Sequence, residues 1–325
     1  MTDATTRASE SYGQEPDTRE LLRRFLNCYW LRPENAFWMV LRSRVLSRFA
    51  WVNPSVDVSC GDGIFSFLHA GGDFDLDFDV FTSVGELEAV RDQHADMFDH
   101  VDNGYRPTIV RPPGYRIDAG TDWKQNLLDK AARLAFYDRL IRHDNNEPLP
   151  FADGTFATVY CNSIYWVAAI DPFLSELRRI CRRDGQALLE VKLSCVRDYT
   201  LGPFADRLGR KWLDLIGRGR AATWPSLADR VTWEKRFVQA GFQIAAAVPF
   251  VTRTHAHIWD IGLRPIAPLL VRLANQVDTP SRRAVKTDWI ELFLDLLEPI
   301  TRADFELFAA PQEPAEILFV LQPGR

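Results

Sequence analysis

The chain has 325 residues, of which 46% are hydrophobic and 26% charged, and its formal net charge is −5. This length and apolar content can bury a sizeable core and favour one α/β domain with large insertions over two independent domains. The mildly acidic balance gives no general attraction to a phosphate backbone, so nucleic acid is not an expected partner.

The first predicted elements are helical and lead to one short strand. Residues 1–17 are small and polar, which indicates a disordered N-terminus. Apolar periodicity then predicts two helices, a strand and the start of a third helix over residues 18–30, 34–49, 55–59 and 64–70. Gly71 and Gly72 are expected to end the third helix.

The next segment, F-D-L-D-F-D-V-F at residues 74–81, alternates apolar and acidic residues and therefore predicts a strand or an extended edge with one acidic face. Clustered carboxylates can hold Mg²⁺, but a solvent-exposed acidic face explains the pattern as well, so no metal site is predicted. Residues 103–114 are rich in Pro, Gly and Arg and predict a loop.

From residue 115 onward, short apolar runs and amphipathic segments alternate. Strands are predicted over residues 115–117, 140–143, 157–161, 186–192, 242–248 and 315–321. Helices are predicted over residues 123–136, 172–183 and 232–240, with mainly helical stretches over 198–230 and 253–308. The alternation predicts a parallel sheet with helices on both faces.

Composition and cysteine usage also indicate the compartment. The five cysteines are Cys28, Cys60, Cys161, Cys181 and Cys195. Their odd number and irregular spacing favour free thiols over disulfides or a zinc site. The chain starts without the apolar core of a secretory signal, and its longest uncharged stretch, residues 155–170, is too short to span a bilayer. We therefore predict a cytoplasmic protein without a membrane span.

Three motifs follow predicted strands or precede helices. The first, D-V-S-C-G-D-G at residues 57–63, has glycines that permit close approach of a ligand and positive φ. The second contains Asp122, whose carboxylate can accept ribose hydroxyls or serve as an ordinary helix N-terminal acid. The third contains Asp144, which can accept a hydrogen bond from an adenine amino group or form an Asx-turn.

The order and spacing of these motifs resemble class I S-adenosylmethionine-dependent methyltransferases, especially the small-molecule branch with the signature acid-x-x-x-x-Leu-Pro-Phe. The resemblance covers residues 55–193, with one interruption, and the final strands. It implies a doubly wound, Rossmann-like sheet of seven strands with the last antiparallel. One domain over residues 18–325 is expected, with core segments 50–197 and 231–325 and a substrate cover formed by insertions at 71–114, 198–230 and 253–308.

The same resemblance implies the cofactor-binding residues. Asp57 matches the acid that orients the amino-acid end of the cofactor, and Asn162 lies where the methyl group is expected. The full predicted set is Asp57, Ser59, Cys60, Gly61, Gly63, Asp122, Trp123, Asp144, Asn145, Asn162 and Ser163. Ser59 replaces the first glycine of the family's loop; since serine can take the strand conformation, we expect altered packing with binding retained.

Methyl transfer from a sulfonium mainly requires alignment of a nucleophile, and a base only where the acceptor must lose a proton. His255 and His257 are the candidate bases because of histidine's pKa, although a surface or core histidine with a structural hydrogen bond is the commoner explanation for each. Tyr165, Trp166 and Arg264 are the predicted substrate contacts. Arg264 could hold an anionic group or form an ordinary ion pair.

The sequence thus predicts S-adenosylmethionine-dependent methyl transfer to a small-molecule acceptor, a specialised metabolite or sugar intermediate, with O- or N-methylation favoured over C-methylation. S-adenosylhomocysteine would be the product, and a homodimer is left open. The alternatives are a non-catalytic binding or scaffold protein on this fold, a macromolecular methyltransferase and a nicotinamide-dependent oxidoreductase. The last would need a G-x-G-x-x-G loop, and Ser66 stands at its third glycine position.

Overall fold

The computed structural model describes residues 17–81, 101, 105–211, 213, 224–302 and 313–324. Its helices are α1 Thr18–Tyr29, α2 Pro33–Leu46, α3 Ile64–His69, α4 Gln125–Ala132, α5 Ile170–Ile180, α6 Ala205–Leu208, α7 Arg230–Gln239, α8 Arg253–His257, α9 Ala267–Ala274 and α10 Thr279–Arg302. Its strands are β1 Ser55–Val58, β2 Asp73–Phe74, β3 Ile109–Arg111, β4 Ile117–Asp122, β5 Tyr137–Arg142, β6 Phe156–Cys161, β7 Cys181–Lys192, β8 Phe242–Val251 and β9 Glu316–Pro323.

Seven of these strands form one sheet in the order β5-β4-β1-β6-β7-β9-β8. Strand β1 lies in the interior of the sheet and pairs in parallel with β4 and β6. Strand β9 is antiparallel to both of its neighbours, β7 and β8. The predicted doubly wound α/β sheet with an antiparallel last strand is therefore confirmed.

The central strands are apolar because both faces of the sheet are covered. Every residue of β1 and of β6 is buried, as expected for parallel strands between two helical layers. Helices α1, α2 and α3 contact one another, whereas α5 packs on β6 and β7 and contacts α7. The carboxyl ends of β4, β1 and β6 consequently meet at one edge, where ligands bind in doubly wound folds.

The prediction of a strand over residues 74–81 is wrong beyond Phe74. The carboxylates of Asp75 and Asp79 accept hydrogen bonds from the main-chain N–H groups of Phe78 and Phe81, respectively, at 2.9 and 2.7 Å. Such local side-chain bonds favour turns over ladder pairing. The aspartates therefore serve as turn acceptors, and the alternating pattern does not form an acidic sheet face.

Helix α10 holds this turn segment against the core. Lys286 Nζ donates to the carbonyls of Leu76 and Phe78, each at 2.7 Å. The buried Asp79 accepts from Trp30 Nε1 and from Arg282 Nη2, each at 2.8 Å. Residues 72–81 are thus a packed part of the described structure.

Several predicted boundaries shift. The strand predicted over 115–117 is Ile117–Asp122, and the helix predicted over 123–136 is limited to Gln125–Ala132, with Lys124 still extended. The predicted disordered N-terminus lies outside the described residues except for Asp17, whose side chain caps α1. Parts of the three predicted insertions also lie outside them, namely residues 82–100, 102–104, 212, 214–223 and 303–308.

Some negative findings hold for the described ranges alone. Within them, no helix is both long and apolar enough to cross a membrane. The same residues contain no group of three or more His, Cys, Asp or Glu side chains that could hold a metal ion. All five cysteines are free thiols, which confirms the prediction from their number and spacing.

Candidate cofactor and acceptor site

The glycine loop after β1 has left-handed backbone at three positions. The φ angles of Ser59, Gly61 and Gly63 are 65°, 60° and 76°. The expectation that Ser59 takes the strand conformation is therefore wrong: β1 ends at Val58, and the turn starts at the serine. A residue with a Cβ in this region is disfavoured by about 1–2 kcal/mol, so the backbone is strained at Ser59.

Asp57, the acid before the loop, is buried and hydrogen-bonded. Its Oδ2 accepts from Ser66 Oγ at 2.5 Å and from Tyr137 Oη at 2.8 Å. Burial raises the pKa of Asp57 to about 6, although both hydrogen bonds act in the opposite direction. In the folded protein the Asp57 carboxyl therefore ionises near pH 6.

Tyr137, at the start of β5, also supports the loop sterically. A Cβ added to Gly63 would lie 2.8 Å from Tyr137 Cε2, and one added to Gly120 would lie 2.9 Å from its Cδ1. The ring therefore fills the space that these two glycines leave. Tyr137 was not among the predicted site residues. Its role follows from its place at the start of β5, next to β4, and no local sequence motif indicates it.

The buried carboxyl of Asp57 predicts a pH dependence of stability. Because its pKa is raised in the folded state, its stabilising contribution is complete below the unfolded value of about 3.8 and is lost as pH rises through about 6. We expect the unfolding free energy of the wild type, relative to Asp57→Asn, to fall by about 2 kcal/mol between pH 4 and 7.5. Urea unfolding of both proteins between pH 4 and 7.5 measures the difference between their unfolding free energies. Titrations of groups that the two proteins share cancel in this difference. A constant difference would contradict the assignment.

Asp122 is the last residue of β4 and is only 8% exposed. Its Oδ2 accepts from the main-chain N–H of Gly61 at 3.1 Å, and its Oδ1 accepts from the N–H of Lys124 at 2.9 Å. The carboxylate therefore bridges the glycine loop and the residue before α4. The side chain of Trp123, by contrast, is 62% exposed beside it.

The loop after β5 carries the third motif. Asp144 is exposed, and its Oδ1 accepts from the main-chain N–H and side-chain Nδ2 of Asn146 at 2.9 and 2.8 Å. This is the Asx-turn that the sequence also allowed, and these hydrogen bonds lower the pKa of Asp144. The neighbouring Asn145 donates from Nδ2 to Ser59 Oγ at 2.7 Å. The structure thus joins the first and third motifs directly.

The turn after β6 begins with Asn162 and Ser163, both half-buried, and continues in a 3₁₀ turn over Ile164–Trp166. Tyr165 points inward, and its Oη accepts from Arg42 Nη2 at 3.3 Å. Trp166 is 53% exposed. Of the two predicted substrate aromatics, Trp166 is therefore the accessible one.

The two histidines differ in their surroundings. His255 is buried: its Nδ1 accepts from Thr252 N, and its Nε2 lies 3.2 Å from the carbonyl of Ile300. Burial lowers the pKa of His255 to about 4. His257 is half-buried and accepts from Arg253 Nε at 3.4 Å, and burial again lowers its pKa. Both ring nitrogens of His255 are engaged within the fold, whereas among the described residues His257 accepts a hydrogen bond at one ring nitrogen, from Arg253.

Arg264, the third predicted substrate residue, follows a π-helical segment over Ile258–Leu263. Its Nε lies 3.9 Å from Asp260 Oδ1, and its guanidinium lies 5.6 Å from the Trp259 ring centre. The ion pair that the sequence allowed is therefore present.

A buried group of charges next to β6 was missed by the sequence analysis. This strand-end ion cluster consists of Arg42, Glu190, Lys192 and Glu316. Lys192 pairs with Glu316, its partner in the β7–β9 register, and Arg42 lies 2.9 Å from Glu316 and 3.2 Å from Glu190. Burial raises the pKa of Glu190 to about 8. The only sequence signal was charge within the apolar strand Q-A-L-L-E-V-K.

Aromatic rings enclose the lysine of this cluster. Lys192 Nζ lies 4.0, 5.1, 5.6 and 5.9 Å from the ring centres of Trp38, Tyr165, Trp259 and Trp224. Ammonium groups over aromatic faces are attracted by the ring quadrupole. The rings come from α2, from the turn after β6, and from the segments that precede and follow β8. Their contacts with Lys192 therefore hold these segments at the end of β7.

Comparison with known families agrees with this geometry. Residues 114–189 match a family model described as a methyltransferase domain. The match runs from the start of β4 into β7 and includes Asp122, Asp144 and Asn162, while the glycine loop precedes it. Over this segment the chain is therefore similar to methyltransferase domains.

Solved structures of similar topology belong to proteins with different names and activities. A possible histamine N-methyltransferase from Thermotoga maritima is 13% identical, with a TM-score of 0.43 over 75% of this chain and 90% of that one. Geranyl diphosphate C-methyltransferase from Streptomyces coelicolor is 13% identical, with a TM-score of 0.40 over 90% and 84%. The [4+2]-cyclase SpnF is 14% identical, with a TM-score of 0.44 over 90% and 82%. These values carry no information about the substrate. A search of curated proteins gave no match.

Proposed function

We propose that this protein transfers a methyl group from S-adenosylmethionine to a small-molecule acceptor. The observation that carries the proposal is the bond from Gly61 N to the Asp122 carboxylate. It joins the glycine loop to a nearly buried acid at the carboxyl edge, within the segment that matches a methyltransferase domain. Both the loop and the acid are what a nucleoside cofactor requires at this edge.

The residues present fit that cofactor. A Cβ at Gly61 would meet no atom within 4 Å, so the outer side of the loop is open to a ligand. The Asp122 carboxylate at the strand end would accept ribose hydroxyls, and the exposed ring of Trp123 lies beside it for contact with a base. When bound, S-adenosylmethionine would supply a methyl group that is already activated for displacement.

The remaining residues are assigned by their place along the same edge. Asp57 would orient the loop from beneath, and Asp144 would lie near the adenine. The proposed cofactor-binding set remains Asp57, Ser59, Cys60, Gly61, Gly63, Asp122, Trp123, Asp144, Asn145, Asn162 and Ser163. We assign these residues to one domain over residues 18–325, with the predicted insertions as the substrate cover.

The acceptor would approach from the end of β6, where Trp166 is exposed. O- or N-methylation remains the favoured chemistry and would need a base for a protonated acceptor. His257 is the better of the two candidate bases, because His255 uses both ring nitrogens within the fold. A cytoplasmic location and a metabolite acceptor belong to the same proposal.

Titration calorimetry with S-adenosylmethionine and S-adenosylhomocysteine tests the proposal. We expect saturable binding of both at one site per chain. NADH is the matched control ligand, since a nicotinamide-dependent enzyme would bind it instead. Folded protein that binds neither sulfur nucleoside would overturn the proposal. Incubation of a metabolite extract with methyl-labelled cofactor would then identify the acceptor.

A further inference from the structure

The loop after β5 connects two other loops at the carboxyl edge through its asparagines. Asn145 donates from Nδ2 to Ser59 Oγ in the glycine loop at 2.7 Å. Asn146 Oδ1 accepts from the main-chain N–H groups of Ala168 and Ala169, just before α5, at 3.1 and 3.0 Å. Strand β4 separates β5 from β1 in the sheet, so the bond to Ser59 reaches across the end of the strand that carries the ribose acid.

Ser59 is the residue of the glycine loop that most needs such a contact. Its φ of 65° lies in the left-handed region, where a side chain with a Cβ is disfavoured and glycine is not. Strained backbone persists where surrounding contacts over-determine it. The bond from Asn145 is a contact of that kind, since it uses the hydroxyl that a glycine would lack.

We propose that Asn145 is a positioning residue that holds Ser59 in its left-handed conformation and thereby aligns the glycine loop for the cofactor. The next loop residue but one, Gly61, directs its N–H to Asp122, so a relaxed Ser59 would displace the N–H from the carboxylate. This inference rests on the proposed function, because the ligand of the loop is the proposed cofactor. It gives Asn145, a member of the proposed cofactor-binding set, an indirect part in binding through its bond to Ser59.

A double-mutant cycle separates this indirect part from a direct contact with the cofactor. Asn145→Ala should weaken binding of S-adenosylhomocysteine about tenfold when residue 59 is serine. In the Ser59→Gly background the same change should weaken binding less than twofold, because glycine adopts the left-handed conformation without a supporting hydrogen bond. Ser59→Ala keeps the Cβ but lacks the hydroxyl and should match Asn145→Ala. Asn275→Ala, which removes an exposed bond to Arg282 on the helical insertion, is the control and should bind within twofold of wild type.

Each result supports or overturns the tether, by which we mean the hydrogen bond from Asn145 to Ser59 that is proposed to hold the loop. Equal weakening by Asn145→Ala in both backgrounds would mean that Asn145 contacts the cofactor itself. Unchanged affinity of Ser59→Ala would mean that the hydroxyl does not hold the loop. If Asn145→Ala fails to fold, the comparison of Ser59→Ala with Ser59→Gly gives the same test.

The proposed function and the tether can fail separately. If the wild type binds no S-adenosylhomocysteine, the proposed function fails, and melting temperatures still test the tether. Asn145→Ala should then lower Tm only when residue 59 is serine. An equal decrease in the Ser59→Gly background would overturn the tether in that case as well.

Discussion

Asp122→Ala is expected to weaken binding of S-adenosylhomocysteine by about 100-fold or more. A hydrogen bond to a charged group contributes about 1.5–3 kcal/mol, and the carboxylate would accept two from the ribose. Its loss would also release the N–H groups of Gly61 and Lys124, which it holds at 3.1 and 2.9 Å. Two such bonds correspond to at least about 3 kcal/mol, or about 100-fold in Kd. Titration calorimetry of the purified variant measures the change.

Asp129→Ala is the matched control for that experiment. It removes the same charge from the exposed side of α4, where Asp129 accepts from Gln125 Nε2, and should change affinity less than twofold. Asp122→Asn, which keeps one oxygen acceptor, should give an intermediate loss. Wild-type affinity in Asp122→Ala would show that the ribose assignment is wrong, even if the protein binds the cofactor.

Glu316→Leu is expected to lower the free energy of unfolding by about 3–5 kcal/mol. Glu316 is fully buried and pairs with both Lys192 and Arg42. Its removal would leave two buried cations with Glu190 as their remaining carboxylate in the strand-end ion cluster, and burial disfavours the charged form of that group. Urea denaturation followed by far-UV circular dichroism measures the loss.

The cluster experiment has two controls. Asp138→Ala breaks the ion pair with Arg116, in which both side chains are 54% exposed, and should cost less than about 1 kcal/mol. Lys192→Met combined with Glu316→Leu should cost less than the sum of the single losses, since the partners interact directly. A loss for Glu316→Leu no greater than that for Asp138→Ala would contradict the importance of the cluster.

The strand-end ion cluster also holds the turn after β6, from which the acceptor is proposed to approach. Trp38 and Arg42 of α2 both donate to Glu316, and Arg42 also donates to Tyr165 in the turn after β6. One buried carboxylate therefore anchors a covering helix and, through Arg42, the turn that carries Trp166. We expect the shape of the acceptor side to depend on these charges, although none of them was a predicted site residue.

The fold and the places of the three motifs at the carboxyl edge of the sheet could be predicted from the sequence because their signals are local. Apolar runs such as β6 and the periodicity of α5 are fixed by neighbouring residues, and each motif follows its strand directly. The same holds for Gly61 and Gly63, whose positive φ was expected from glycine alone. Local patterns failed where a side chain competed with the backbone, as in the turns after Phe74.

Contacts between distant parts of the chain were decided only by the tertiary structure. Tyr137 meets Asp57 because β5 and β1 flank β4, and Lys192 meets Glu316 because β9 inserts between β7 and β8. The conformation of Ser59 belongs with them, since the loop after β5 supplies its hydrogen-bond donor. Sequence periodicity determines which residues face a core. Strand order and register determine which of those residues touch, and no local pattern encodes either one.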